Sequence, residues 1–137
     1  MSRIYFVYML SEHPSEPPYY CKIGFTSQGP ARFTALQEGN PRALKEWKYE
    51  ARGIEYYGLP FPNRRDAQRF EHEFLRMLEE KGNRLARDYH FSRERSVARE
   101  WIQGVMPDKV WNQLKESYRN YIKTHHECSH FLNSLIS

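Results

Sequence analysis

The chain has 137 residues, a length that fits one domain with a single hydrophobic core. Hydrophobic residues make up 39% of it, and an aromatic share of 15% supplies large side chains to that core, which argues against disorder. The formal net charge of +4 and the pI of about 9.1 favour a polyanionic partner such as nucleic acid. No apolar run approaches the roughly 18 residues that cross a bilayer, and no secretory signal opens the chain, so we expect a cytoplasmic protein that makes no membrane contact.

Two runs near the N-terminus predict an antiparallel β-hairpin. Residues 4–10 and 19–26 are rich in β-branched and aromatic side chains, and a turn-prone stretch of serine and proline lies between them. A short helix follows, because Pro30 suits the first helical position and residues 39–41, Gly-Asn-Pro, end it.

The middle of the chain predicts a third strand and a long helix. The mixed aromatic pattern of residues 44–54 favours a strand, which a Pro-rich loop through Pro60 and Pro62 follows. Residues 66–80 form the clearest helix, because apolar side chains recur at helical spacing and Gly82 lies just beyond.

The last third of the chain is predicted to be helical, since an amphipathic pattern runs from Val110 to Ile122. These elements together predict an α/β fold: a small, mainly antiparallel sheet of three strands flanked by helices. We expect the main domain to cover residues 1–100, with a C-terminal helical extension over 101–137 that packs on it.

One residue of the long helix departs from its pattern. At about 100° per residue, Glu71 falls inside the apolar arc with Phe74, Leu75 and Leu78, whereas the other charges lie opposite. A carboxylate that points into a core costs several kcal/mol unless it finds partners. A metal ion, an arginine or an exposed edge must therefore explain Glu71.

Four features in order along the chain resemble a known nuclease family. They are Phe6-Val7-Tyr8, Lys22-Ile23-Gly24, Arg32 eight residues after Gly24, and Glu71. This order and spacing resemble the GIY-YIG endonuclease superfamily, in the phage and bacterial branch whose second motif reads Lys-Ile-Gly, over roughly residues 4–91. Because the first motif reads Phe-Val-Tyr, Tyr5 stays open as an alternative to Tyr8.

The resemblance implies a DNA endonuclease that hydrolyses phosphodiester bonds with one Mg²⁺ or Mn²⁺. Glu71 would hold the metal, Arg32 would contact the scissile phosphate and Tyr8 would act on the attacking water. The chemistry agrees, because a hard cation prefers carboxylate oxygen and a planar guanidinium can engage two phosphate oxygens. The arginines between Arg64 and Arg99 are candidates to contact the DNA backbone.

Lys22 stands where most of that superfamily has a tyrosine. Strand alternation places it on the same face as Tyr20 and Gly24. If this face is the floor of the active site, desolvation makes a neutral amine accessible, which could take a proton from Tyr8 or from water. The alternative is an ordinary strand lysine that reaches solvent.

Other polar residues give weaker signals. Asn83 could lie near the active site, but Gly82-Asn83 is better explained as a helix stop. His125, His126, Cys128 and His130 fit no zinc spacing, and we interpret them as a solvated tail.

The alternative to an enzyme is a nucleic-acid-binding or protein-interaction module that has the same fold but no catalysis. The presence of all four functional residue types favours the enzyme.

Overall fold

An antiparallel sheet organises the computed structural model, which describes residues 3–85 and 101–136. Within these residues six strands form the sheet: β1 (Tyr5–Glu12), β2 (Tyr20–Thr26), β3 (Leu44–Trp47), β6 (Leu59–Phe61), β7 (Arg84–Leu85) and β8 (Trp101–Gln103). A second sheet of two strands is formed by β4 (Tyr49–Ala51) and β5 (Ile54–Tyr56). Four helices complete the described fold: α1 (Pro30–Glu38), α2 (Arg64–Glu80), α3 (Pro107–Thr124) and α4 (His126–Ile136).

The predicted mixed α/β class is confirmed, and so is the hairpin of β1 with β2, but the sheet has six described strands instead of three. The Pro-rich loop is in fact partly a strand, because β6 pairs with β1 only and a proline is tolerated on such an edge. Strands β7 and β8 have two and three residues, too few for a recognisable alternation.

The third predicted strand, over residues 44–54, is broken into three. β3 ends at Trp47, and the chain then forms the β4–β5 hairpin. Arg52 and Gly53 have φ angles of 51° and 77° at its tip, the left-handed backbone that a tight two-residue turn requires.

The two faces of the sheet differ in what covers them. Val7, Met9 and Ile23 belong to a large apolar cluster with residues of α2, α3 and α4; we call this side the core face. Strand alternation turns Tyr8, Leu10, Lys22 and Gly24 to the other side, where Leu10 packs with Phe33 and Leu36 of α1; we call this side the α1 face.

Side-chain hydrogen bonds define the start of α2. The Asn63 Oδ1 accepts a 2.8 Å hydrogen bond from the Asp66 backbone N–H, and the Asn63 Nδ2 donates to Asp66 Oδ2 at 2.8 Å. At the other end Gly82 has a φ of 76° and the Asn83 N–H donates to the Leu78 carbonyl. The prediction that Gly82-Asn83 stops the helix is confirmed.

The helical prediction for the C-terminal third is confirmed by α3 and α4. The interpretation of the histidine cluster as a solvated tail is right for the exposed His126 and His130 and wrong for Cys128. His126, Cys128 and His130 lie in α4, and Cys128 is fully buried in the core cluster. The division at residue 100 stays a prediction. None of the described helices is both long enough and apolar enough to cross a membrane.

Candidate functional site

The site is built on the α1 face, where β1 and β2 place two reactive side chains beside each other. Tyr8 pairs with Gly24, and Leu10 pairs with Lys22, so Tyr8 and Lys22 lie diagonally on neighbouring strands. Tyr8 is 1% exposed and Lys22 is 0% exposed. The alternative in which Lys22 reaches solvent is therefore wrong for this structure.

Gly24 lies directly against the Tyr8 ring. A Cβ at Gly24 would lie 2.7 Å from Tyr8 Cζ and closer still to the hydroxyl oxygen, so any larger residue would displace the phenol. Because it has no side chain, the glycine of the second motif leaves room for the Tyr8 ring and hydroxyl to lie against β2. Tyr5, the alternative tyrosine, packs against the core cluster instead.

Tyr57, in the connection between β5 and β6, covers Tyr8 from above. Its ring centroid lies 5.9 Å from that of Tyr8 and 6.2 Å from that of Phe6. Its hydroxyl oxygen is shielded from solvent. Burial raises the pKa of Tyr57, and the neighbouring Tyr8 and Glu46 raise it further against an opposing effect of Arg32.

Arg32 enters this cluster from the first turn of α1. Its backbone N–H donates to the Gly29 carbonyl at 3.0 Å, and its side chain is half-buried. Its positive charge opposes the rise in the pKa of Tyr57, so the guanidinium lies within electrostatic reach of the Tyr57 hydroxyl. A cation in a helix's first turn opposes the helix dipole, which indicates a role other than helix stability.

Glu46 completes the row of polar side chains. In the register of the sheet, Glu46 and Lys22 are the partners of Leu10 on its two sides, about 10 Å apart at two strand spacings. The α1 face therefore combines two phenols, two cations and a carboxylate around Leu10.

Glu71 is positioned by a different element. It is 1% exposed in α2, so its predicted burial is confirmed, and its Oε2 lies 3.8 Å from Nε2 of the exposed His72. The apolar side chains of α2 pack on the core face. The structure thus gathers Tyr8, Lys22 and Arg32 on one face and carries Glu71 on the helix of the opposite face.

The carboxylates of α2 differ in their suitability for a metal. Both oxygens of Asp66 accept hydrogen bonds, from Tyr121 at 2.7 Å and from Asn63 at 2.8 Å, which makes this residue structural. The Glu71 carboxylate is a hard oxygen donor that suits Mg²⁺ or Mn²⁺. The described residues contain no group of three acidic, histidine or cysteine side chains around one point, so a cation on Glu71 would need water and phosphate as further ligands.

The arginines expected to contact DNA are only partly described. Arg64, Arg65, Arg69 and Arg76 lie exposed along α2, and the guanidinium of Arg64 lies 5.7 Å above the Phe25 ring. The arginines from 84 to 99 lie outside the residues whose side chains are described, and so does the Tyr-His-Phe stretch at residues 89–91, whose sequence would suit a short strand or turn.

Sequence reasoning missed Tyr57 and Glu46. Tyr57 lies in a stretch interpreted as a loop, and Glu46 is a charged residue within the predicted strand over residues 44–54. The signal for Tyr57 is the glycine after it, since a Cβ at Gly58 would lie 2.9 Å from the Val7 carbonyl carbon.

Comparison with known proteins gives one family. The model of the T5orf172 domain matches residues 5–121. This is a different family from GIY-YIG, whose models do not match, so the resemblance inferred from the four motifs is wrong as a family assignment. The matching family is one of nuclease-like, DNA-binding domains. No curated protein and no solved structure matches the chain.

Proposed function

This chain belongs to the T5orf172 domain family, and we propose that it is a metal-dependent endonuclease that hydrolyses phosphodiester bonds of DNA. The observation that supports this most is the gathering of Tyr8, Lys22 and Arg32 on the α1 face. Burying the polar ends of a lysine and a tyrosine costs folding free energy. Buried titratable groups of this kind are characteristic of sites at which a proton is transferred.

Arg32 has the task of holding the phosphate. Arg32 is partly buried and its guanidinium stays charged at any physiological pH, so it can donate two parallel hydrogen bonds to non-bridging oxygens. Negative charge grows on these oxygens as the nucleophile attacks, and a fixed cation stabilises that charge more in the transition state than in the ground state.

Tyr8 and Lys22 have the task of moving a proton. The Tyr8 hydroxyl orients the attacking water and can accept its proton after giving its own to the Lys22 amine. Both side chains are buried, so the phosphate reaches them only when side chains around them move.

Glu71 is the residue that would hold the divalent cation. Such a cation, when bound, would act as a Lewis acid that stabilises the negative charge on the leaving oxygen. The donor type fits, and α2 carries Glu71 where the helix packs on β1 and β2, the strands of Tyr8 and Lys22.

Supercoiled plasmid incubated with the protein and Mg²⁺ or Mn²⁺ should become nicked or linear, and EDTA should prevent this. Glu71→Gln should abolish cutting and leave folding and DNA binding intact, because the amide keeps the shape and removes the anionic ligand. Glu73→Gln is the matched control, since Glu73 is exposed on the same helix and should cut normally. Undiminished Mg²⁺-dependent cutting by Glu71→Gln would defeat the metal assignment.

The same assay distinguishes the second candidate function, a DNA-binding module without catalysis. The membership in a family of DNA-binding domains supports this candidate directly. It predicts plasmid that is retarded in a gel but remains intact with every metal tested.

A further inference from the structure

We infer that Tyr57 is a positioning residue of this site, which orients the Tyr8 hydroxyl and helps it to carry negative charge. The inference rests on the proposed function and adds to it a residue that no family match or motif assigns. It is drawn from the placement of the Tyr57 ring, from the backbone that holds it and from the surroundings of its hydroxyl.

The ring of Tyr57 is seated between two residues that lie on the same face of β1. It meets Phe6 edge-on, with an interplanar angle of 76°, and Tyr8 at a tilt of 40°. A ring held between two aromatic neighbours has little freedom to swing away from Tyr8.

The backbone next to Tyr57 leaves equally little freedom. Gly58 is buried, and a Cβ there would come to 2.9 Å from the Val7 carbonyl carbon and 3.0 Å from Tyr8 Cα. Only glycine lets the chain press this closely onto β1. Pairing of Leu59 with Val7 then fixes the register directly after Gly58.

The hydroxyl of Tyr57 has unused hydrogen-bonding capacity. Its oxygen is buried, and within the described residues it meets no hydrogen-bond partner at ordinary geometry. Tyr8, Glu46, Arg32 and the backbone of Phe33 are close enough to affect its pKa. Buried phenols normally find a partner, so an unsatisfied one beside a reactive group indicates a role.

A neutral phenol packed against Tyr8 can act as a hydrogen-bond donor to it. The pKa of Tyr57 is raised by burial and then by Tyr8 and Glu46, so it keeps its proton while Tyr8 gives its proton to Lys22. The oxygen that then carries negative charge belongs to Tyr8, and a hydrogen bond from Tyr57 stabilises it. Tyr57 itself forms no bond to the DNA and loses no proton.

The test compares Tyr57→Phe with the matched control Tyr56→Phe, whose phenol packs on Tyr49 in the β4–β5 hairpin. Both variants keep the ring and should fold like the wild type. Tyr57→Phe should lower kcat by about tenfold or more, with KM and the DNA affinity in EDTA changed less than about twofold. Tyr56→Phe should cut at the wild-type rate.

A double-mutant cycle with Tyr8→Phe tests whether Tyr57 acts through Tyr8. If it does, adding Tyr57→Phe to Tyr8→Phe should lower kcat no further. Multiplication of the two effects would show that Tyr57 acts independently of Tyr8 and would overturn the inference.

The outcomes separate this inference from the proposed function. If the wild type cuts DNA and Tyr57→Phe cuts equally well, Tyr57 only packs against β1 and the proposed function stands. If the wild type does not cut with any divalent metal, the proposed function fails and the positioning role fails with it.

Discussion

The two faces of the sheet are built from different chemistry. On the core face, Phe61 touches the rings of Phe70, Tyr118 and Tyr121 at centroid distances of 5.2–5.8 Å, and side chains from three helices close over it. On the α1 face, the helix has no fully buried residue, whereas Lys22 and Tyr8 of the sheet are themselves fully buried. The core face supplies stability, and the α1 face carries groups whose burial costs stability.

Buried polar groups differ in their hydrogen bonding between the two faces. On the core side the Asp66 carboxylate is satisfied by Tyr121 and Asn63 and completes the start of α2. On the α1 side the Tyr57 hydroxyl is buried beside Arg32 and Glu46 without such a bond. A satisfied network stabilises a fold, whereas a polar cluster with spare capacity is suited to bind a substrate.

Truncating the core face should have the largest effect on folding. Phe61→Ala removes a side chain that is 0% exposed and should lower the free energy of unfolding by about 4 kcal/mol, through lost burial and a residual cavity. Leu36→Ala, in the partly buried contact of α1, should cost clearly less. Equal losses in urea unfolding would mean that both faces contribute similarly to stability.

A conservative change on the α1 face should lower turnover strongly and leave stability almost unchanged. Arg32→Lys keeps the charge but loses the planar two-point contact, so turnover should fall by about 10²-fold while the unfolding midpoint barely moves. Steady-state cleavage of a labelled duplex measures this. Normal turnover combined with weaker DNA binding would reassign Arg32 to backbone contact.

Filling the contact between β2 and Tyr8 should affect stability and activity together. Gly24→Ala brings a methyl group to 2.7 Å from Tyr8 Cζ, and the ring is held from above by Tyr57, so overpacking should cost about 2 kcal/mol. Displacement of the hydroxyl should also slow cleavage in the fraction that stays folded. A variant that is as stable and active as the wild type would show that Tyr8 can move freely.

A smaller loss of stability than for Phe61 or Gly24 is expected when one hydrogen bond to Asp66 is removed on the core side. Burial alone would raise the pKa of Asp66, but hydrogen bonds from Tyr121, Asn63 and Cys128 outweigh it and hold the pKa below 3.8. The ionised group therefore stabilises the fold fully above pH 3.8, and this contribution is lost as the pH falls through the lower folded-state pKa.

Tyr121→Phe removes one of these hydrogen bonds and should cost about 1.5 kcal/mol at neutral pH. Because the bond depends on ionised Asp66, the difference between wild type and variant should shrink in unfolding curves recorded below pH 3.8. A difference that stays constant across this range would mean that the variant loses packing only.

Local patterns predicted the parts of the fold that depend on neighbours in sequence. Pro30 correctly marked the start of α1, Gly82 the end of α2, and the helical period revealed that Glu71 is buried. The role of Tyr57 could not be predicted, since it depends on the pairing of β6 with β1 across about 50 residues of chain. A motif of four residues likewise indicated a nuclease but gave the wrong family.

The central claim is that the α1 face is maintained for chemistry at the expense of stability, and Lys22→Met tests it most directly. Methionine matches the length of the buried lysine but removes its charge and its polar interactions, so the free energy of unfolding should fall by less than the loss of about 4 kcal/mol expected for Phe61→Ala. Metal-dependent plasmid cutting should be nearly silenced in the same preparation. A variant that loses several kcal/mol of stability and, in its folded fraction, still cuts at the wild-type rate would contradict the account and make Lys22 a structural residue.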